Sequence, residues 1–421
     1  MTHRLDLAWY LRSKFLTDDI QSKIQEAAAK NIKATQAESA EDFSVVPKPG
    51  EPPTSPKVSQ SSNRQPPKDF RKQVDELLLV TAQKGGSDLH LSPGYYPTVR
   101  IDGRMIPLTD MPVLGKQLLD NLILSLLFDG RKERFLAEKE LDFAYELNQQ
   151  VRFRVNVYQT RGNFAAAFRL IPEKIRTIEE LNLPPIVKIF SKLSQGFVLV
   201  VGPNGHGKST TMAALIDLIN RERAEKIVTI EDPIEYIFTP DKSIIDQREV
   251  YFDTASFNKA LRSTFRENVN VVMVGEMRDY DTISTAVTAA ETGHLVFASL
   301  HTNNASQSIE RIIDVFPPAQ QRQIISQLAN TISGIISQRL VPRIRGGLIP
   351  AMEVMIANTA VRNLIRENRV QQINLAIDTG AEAGMISLNR SLSDLVQRKE
   401  ITYEQAEFYS LNPAELRTLL R

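Results

Sequence analysis

Residues 202–209 read Gly-Pro-Asn-Gly-His-Gly-Lys-Ser, a composition that can wrap a chain of phosphates. Gly202, Gly205 and Gly207 free the backbone to curl, so that successive N–H groups point inward at an anion. Lys208 has the reach and charge to meet β- and γ-phosphates, and Ser209 carries a hydroxyl suited to Mg²⁺. Pro203, Asn204 and His206 complete the loop. Thr210 opens the next segment, whose apolar residues up to Ile219 recur at helical spacing. The N-terminus of that helix adds a favourable field for negative charge. Phe197–Val201, ahead of the loop, is a short apolar strand. Strand, glycine-rich loop and helix in this order predict a nucleoside triphosphate ligand.

Hydrolysis needs more: a metal partner, a group to position water, and charge to stabilise the transition state. Three later segments offer these. An apolar strand at Ile227–Ile230 ends in Glu231-Asp-Pro-Ile-Glu235, which puts carboxylates at a strand's C-terminal end, where open α/β sheets bind ligands. A second, Val271–Val274, ends in Gly275-Glu-Met-Arg-Asp279, so that Glu276 is placed to hold the Mg²⁺ shell or orient water. The third, Gly293–Thr302, has a histidine at each end of an apolar run. A zinc site is excluded for this pair, because seven residues of strand separate His294 from His301 by about 23 Å. His301, at the C-terminal end, is placed to hydrogen-bond near the nucleotide.

These segments must be held by a layered fold. From 190 to about 350, strands and helices alternate, predicting a mostly parallel sheet covered by helices. The preceding stretch, 70–172, reads as an α+β unit. It has a helix through Val74, Leu77, Leu78 and Val80, a strand at Asp88–Leu91, and a hairpin turning at Asp102-Gly103. A helix over Leu118–Leu127 and strands at 152–158 and 164–171 follow. Residues after Glu353 read as nearly all helical. Residues 47–67 carry seven of the 22 prolines and only Val58 as a large aliphatic, the composition of a flexible linker. Before it, Leu7, Leu11 and Phe15 share one face of a candidate docking helix.

Composition narrows the function. With 51 basic and 50 acidic residues the formal charge is +1, which gives no global field for nucleic acid. The absence of cysteine excludes disulfides, thiolate catalysis and cysteine-ligated zinc. No run of eighteen apolar residues, the length needed to span a bilayer, appears in the sequence, and the first residues lack the pattern of a secretory signal. The expectation is a cytoplasmic enzyme.

Taken together, the four segments resemble the Walker A, Asp box, Walker B and His box of the secretion-type hexameric ATPases of type II secretion and type IV pili. Ala360-Val-Arg-Asn-Leu-Ile-Arg-Glu367 is similar to a C-terminal motif of the PilT-type retraction motors within that family, and Ser87–Leu91, Glu140–Phe143 and Arg152–Asn156 match as well. The resemblance covers about residues 70–410. It implies an α/β chain with an N-terminal extension over 1–68, a PAS-like α+β domain over 69–175, a RecA-like P-loop ATPase core over 176–350 and a helical C-terminal region over 351–421. It further implies a homo-hexamer hydrolysing ATP with Mg²⁺, working on an inner-membrane platform protein at the cytoplasmic face of the pilus base. Lys208 and Ser209 would then bind phosphate and Mg²⁺, and Glu231 and Glu235 would be the Asp-box acids. Glu276 would be the catalytic or Mg²⁺-associated acid, and His294 and His301 the His-box pair. Arg154 and Arg169 would neutralise γ-phosphate charge on domain closure. The cysteine-free chain lacks the four-cysteine metal site usual in extension and secretion ATPases, which favours retraction. Pilus extension, secretion and an accessory retraction role are the alternatives within the family, and a nucleic-acid motor or a non-hydrolysing ring those outside it.

Two departures from the family pattern bear on rate. His206 stands where a small residue is usual and must point away from the phosphates. Asn268-Val-Asn270 replaces two acids just before the Glu276 strand, which places the hydrolysis rate in question. In the C-terminal motif, Val361, Leu364 and Ile365 read as core, while Arg362, Arg366 and Glu367 read as a subunit- or partner-facing surface. Leu388, Leu392 and Leu395 read as core.

Overall fold

A computed structural model describes residues 68–421, apart from 102, 129, 149–150 and 172–173. The candidate docking helix and the proline-rich linker lie outside the described residues. Helix α1 (Lys68–Gln83) buries Val74, Leu77 and Leu78 on the single face that their spacing predicts. Strands β1 (Asp88–Leu91), β2 (Thr98–Ile101) and β3 (Arg104–Pro107) follow, with Gly103 at φ +79° turning the hairpin. Helices α2 (Lys116–Leu124) and α3 (Arg131–Glu138) then lead into β4 (Glu140–Asn148), β5 (Val151–Thr160) and β6 (Asn163–Ile171). These strands form an antiparallel sheet in the order β3-β2-β1-β6-β5-β4. Alternate residues of β5, Phe153, Val155 and Val157, are buried with Leu119, Ile123 and Phe135 of the helices, leaving Arg152 and Arg154 on the other face.

The second sheet is built differently. Strand β7 (Gly196–Val201) is buried at every position, and α4 (Lys208–Glu222), β8 (Lys226–Glu231), β9 (Ile244–Glu249), α5 (Phe257–Thr264) and β10 (Val271–Val274) follow it. Next come α6 (Tyr280–Glu291), β11 (Leu295–Leu300), α7 (Ala305–Asp314), α8 (Pro318–Thr331), β12 (Ile332–Pro342) and β13 (Leu348–Ile356). The strand order is β13-β12-β7-β11-β10-β8-β9, parallel throughout except for β13 at the edge. Continuous apolar strands suit a sheet with helices on both faces. Phe197, Leu199 and Val201 pack toward α6, α7 and α8, while Val198 and Val200 pack toward α4. Helices α9 (Thr359–Arg366), α10 (Ile373–Thr379), α11 (Leu388–Gln397), α12 (Tyr403–Tyr409) and α13 (Pro413–Leu419) close the chain. Leu388, Leu392 and Leu395 are core, packed with Val341 and Ile349.

The structure corrects the sequence expectation at several points. The helical C-terminal region begins at Thr359 rather than 351, because β13 continues to Ile356. Its apolar run carries no clear period, and antiparallel pairing with β12 decides the matter. Helix α3 and strand β4 add to the elements that the sequence pattern predicts for this unit. Asn268 and Asn270 stand at the N-terminal end of β10, about 20 Å of chain from Glu276. Asn270 Oδ1 accepts from the Lys226 N–H at 2.9 Å, and Asn268 adopts φ +51°, a conformation asparagine tolerates. Their neutrality therefore does not touch the carboxylate end of the sheet. Arg362, half-buried, donates to the carbonyls of Ala329 and Asn330 at the C-terminal end of α8 and so caps that helix.

The two sheets meet through charge and aromatic faces. Arg154 donates to Glu235 at 3.3 Å, while Arg131 and Arg152 lie 3.9 and 4.0 Å from Glu249. Arg134 sits 3.7 Å from the centre of the Tyr251 ring and Arg131 5.2 Å from that of Phe252.

Candidate active site

Four strands of the parallel sheet deliver their C-terminal ends to one edge, and the singled-out residues converge there. After β7 the chain turns through Gly202 at φ +145°, against whose Cα the Gln338 carbonyl packs so closely that an added Cβ would lie 2.3 Å from it. Gly207, at φ +82°, caps α4, and an added Cβ there would lie 2.8 Å from the Gln338 side-chain nitrogen. Gln338 fastens the loop from β12: its amide donates to the His206 carbonyl at 2.8 Å, and its oxygen accepts from Thr211 at 2.6 Å. Thr210 shares a 2.9 Å hydrogen bond with Tyr236.

Lys208 is buried, and its ammonium donates to the carbonyls of Gly202 and Pro203 at 2.9 and 3.0 Å. Burial pulls its pKa down, while Glu276 and Glu235 oppose that shift. A third contact, 3.3 Å to His301 Nδ1, begins a chain of polar groups. His301 Nε2 lies 2.8 Å from Glu276 Oε1, and Arg278 donates to Glu276 Oε2 at 2.7 Å. An ammonium can only donate, so Nδ1 accepts and the proton of a neutral ring sits on Nε2, facing the carboxylate. Burial pushes the Glu276 carboxyl up, but Arg278 and His301 outweigh it and leave it below the ordinary glutamate range. Ser299, at the end of β11, donates to the Gly275 carbonyl at 2.5 Å and so braces the turn that presents Glu276.

Glu231 behaves differently. It is fully enclosed and accepts from Thr229 at 2.7 Å and from the Glu235 N–H and Gln247 at 3.4 Å, none of them a cation. Burial pushes its carboxyl up to about 7. At acidic pH both folded and unfolded chains hold this proton. As pH rises from the ordinary glutamate range toward 7, the unfolded chain releases it first, so folding stability falls by up to about 3 kcal/mol. Glu231→Gln should therefore raise the thermal midpoint by several degrees at about pH 8 and by little at about pH 5, as read by calorimetry.

These groups line one cleft of about 760 Å³, together with Asn204, Gly205, Ser209, Arg154, Arg169 and Arg176. Arg154 reaches it from β5 through Glu235, and Arg169 from β6, where Asp88 holds its guanidinium at 2.9 Å. His294 lies at the opposite end of β11, where Nδ1 is 3.0 Å from the Ala289 carbonyl, so it serves the fold. His206 points out of the loop, away from the cleft: its Nδ1 accepts from the Leu340 N–H at 2.9 Å. Gln338, Arg176 and Ser299 were missed in the sequence, since none belongs to a local pattern. Arg278 follows Glu276 by two residues, but only the folded site shows its guanidinium on that carboxylate. The arrangement supplies a phosphate cradle, an oriented carboxylate and several cations at one sheet edge.

Comparison with known proteins gives the same picture along the chain. Residues 72–406 match the family model described as Type II/IV secretion system protein. The type IV pilus retraction ATPase PilT of Pseudomonas aeruginosa is 44% identical over 333 residues, covering 79% of this chain and 96% of PilT. A twitching motility protein of Neisseria gonorrhoeae is 43% identical over 311 residues, covering 74% of this chain and 83% of that protein. Among solved structures, the crystal structure of the pilus retraction motor PilT with bound ADP superimposes with a TM-score of 0.75 at 44% identity, over 82% of this chain and 99% of the other.

Proposed function

The chain belongs to the Type II/IV secretion system protein family, and from that premise we propose that it is an ATP-hydrolysing motor for type IV pilus retraction. The observation that carries this reading is likeness to a retraction ATPase over nearly the whole of that protein's length. ATP would lie along residues 202–210, its phosphates met by loop N–H groups and Lys208. The cleft's oxygen donors fit Mg²⁺, which takes one or two protein oxygens and shares phosphate oxygens and waters; Ser209 and Glu276 would hold it. That ion would neutralise charge on the β- and γ-phosphates. Glu276, held below the usual carboxylate range, is better suited to orienting the attacking water than to abstracting its proton early. A loose phosphoryl-transfer transition state asks for little more. His301 fixes the carboxylate's orientation, and Glu231 and Glu235 complete the acidic wall. Arg154, Arg169 and Arg176 bring positive charge from the N-terminal side as the cleft closes.

In this reading residues 69–175 form a PAS-like domain, 176–350 a RecA-like core and 351–421 a C-terminal region, with 1–68 an extension. Six copies make the ring, which acts on an inner-membrane platform protein from the cytoplasmic face; no helix among the described residues is long and apolar enough to cross a membrane. A host lacking the chain should carry several-fold more surface pili by electron microscopy and lose twitching, both restored by the wild-type gene. Bald cells would instead assign the chain to fibre assembly.

A further inference from the structure

Strand β12 runs beside β7 only as far as Ser337, which pairs with Val201. There β7 gives way to the phosphate loop, while β12 continues to Pro342. The edge of β12 beyond Ser337 thus loses its parallel neighbour at the point where the loop passes. A strand-edge N–H in a half-buried position needs an acceptor. His206 supplies it: Nδ1 accepts from the Leu340 N–H at 2.9 Å, and the His206 carbonyl accepts from the Gln338 side chain at 2.8 Å. One loop residue is therefore held twice by one strand. Behind the ring stands Tyr409 of α12, edge-on at 6.5 Å between ring centres. Two residues on from His206, Lys208 donates to loop carbonyls and contacts His301.

We propose that His206 is a positioning residue for nucleotide binding: its imidazole takes the place of the missing strand, pins the phosphate loop to β12, and couples it to the C-terminal helix α12. The proposal rests on the reading of residues 202–209 as the phosphate loop. A serine or alanine at 206 is too short to reach the Leu340 N–H in the same way. The histidine must be unprotonated at Nδ1 to accept. The groups that face it are Arg339 and Gln338 of β12, Lys208 of α4 and Tyr409 of α12. Burial, with Arg339 and Lys208, depresses its pKa. The acceptor is consequently intact at and above neutral pH and is lost as pH falls below the ordinary histidine range.

Steady-state ATP hydrolysis by the full chain tests this. His206→Leu keeps bulk but cannot accept, and should raise KM for ATP about tenfold with kcat little changed. His206→Asn offers a carbonyl oxygen and should recover most of that loss. Between about pH 8 and about pH 5.5 the wild-type KM should rise relative to that of His206→Asn, whose amide does not titrate. Equal KM in wild type and His206→Leu, or parallel pH profiles in wild type and His206→Asn, would overturn the proposal while leaving ATP binding in place. If His206→Leu does not fold, the comparison of those two pH profiles decides alone. Failure of the wild-type chain to bind ATP would remove the phosphate-loop reading and this inference with it.

Discussion

Lys208→Ala should lower ATP turnover by about a thousandfold or more and leave the cell unable to withdraw its pili. The ammonium is the one side-chain cation inside the loop itself, and removing a single preorganised donor from a phosphoryl or oxyanion site costs about two to three orders of magnitude. The lost group also supports the site's geometry, since it holds two loop carbonyls and His301. Alanine is a good helix former at the start of α4, so the chain should remain folded. Phosphate release by the purified variant and pilus counts in complemented cells measure the two effects. Turnover within tenfold of wild type would remove Lys208 from the reaction.

Glu276→Gln should separate chemistry from binding. The change removes the charge that Arg278 and His301 share while preserving shape, and it leaves the loop untouched. We expect kcat to fall by about a hundred- to a thousandfold. The dissociation constant for ATP, read with a fluorescent analogue, should stay within about threefold of wild type. A matched loss of affinity would instead place the main contribution of Glu276 in ground-state binding rather than in orienting the attacking water. Acid should lower kcat through Glu276 only well below neutrality, because Arg278 and His301 keep its carboxylate ionised below the ordinary glutamate range.

The phosphate loop was legible because its signals are local: glycines for the turn, a lysine at fixed distance, an apolar strand before and a helix after. The acids at the ends of β8 and β10 and the histidine after β11 were legible for a related reason, since parallel strands bring their C-terminal ends to one edge. What could not be read depends on pairing across distance. Gln338 fastens the loop from 132 residues away, and Arg154 meets Glu235 across 81. Strand β13 was hidden because Pro350 and Glu353 interrupt a run of no clear period; the proline is tolerated on an edge, and Glu353 is held by the Ala305 N–H. Asn268 and Asn270 misled in the opposite direction. Neighbours of Glu276 in sequence, they are a strand's length from it in space.

The seam between the two sheets carries guanidinium groups set on carboxylates and on the exposed rings of Tyr251 and Phe252. The ring contacts, which solvent reaches, are each worth about 0.5–1 kcal/mol, whereas Arg131 and Arg152 flank the buried carboxylate of Glu249, where loss of a partner costs more. Salt weakens the partly exposed Arg154–Glu235 pair more than the buried Glu249 cluster, so a motor built on this joint would run with a looser hinge in concentrated salt than in dilute buffer.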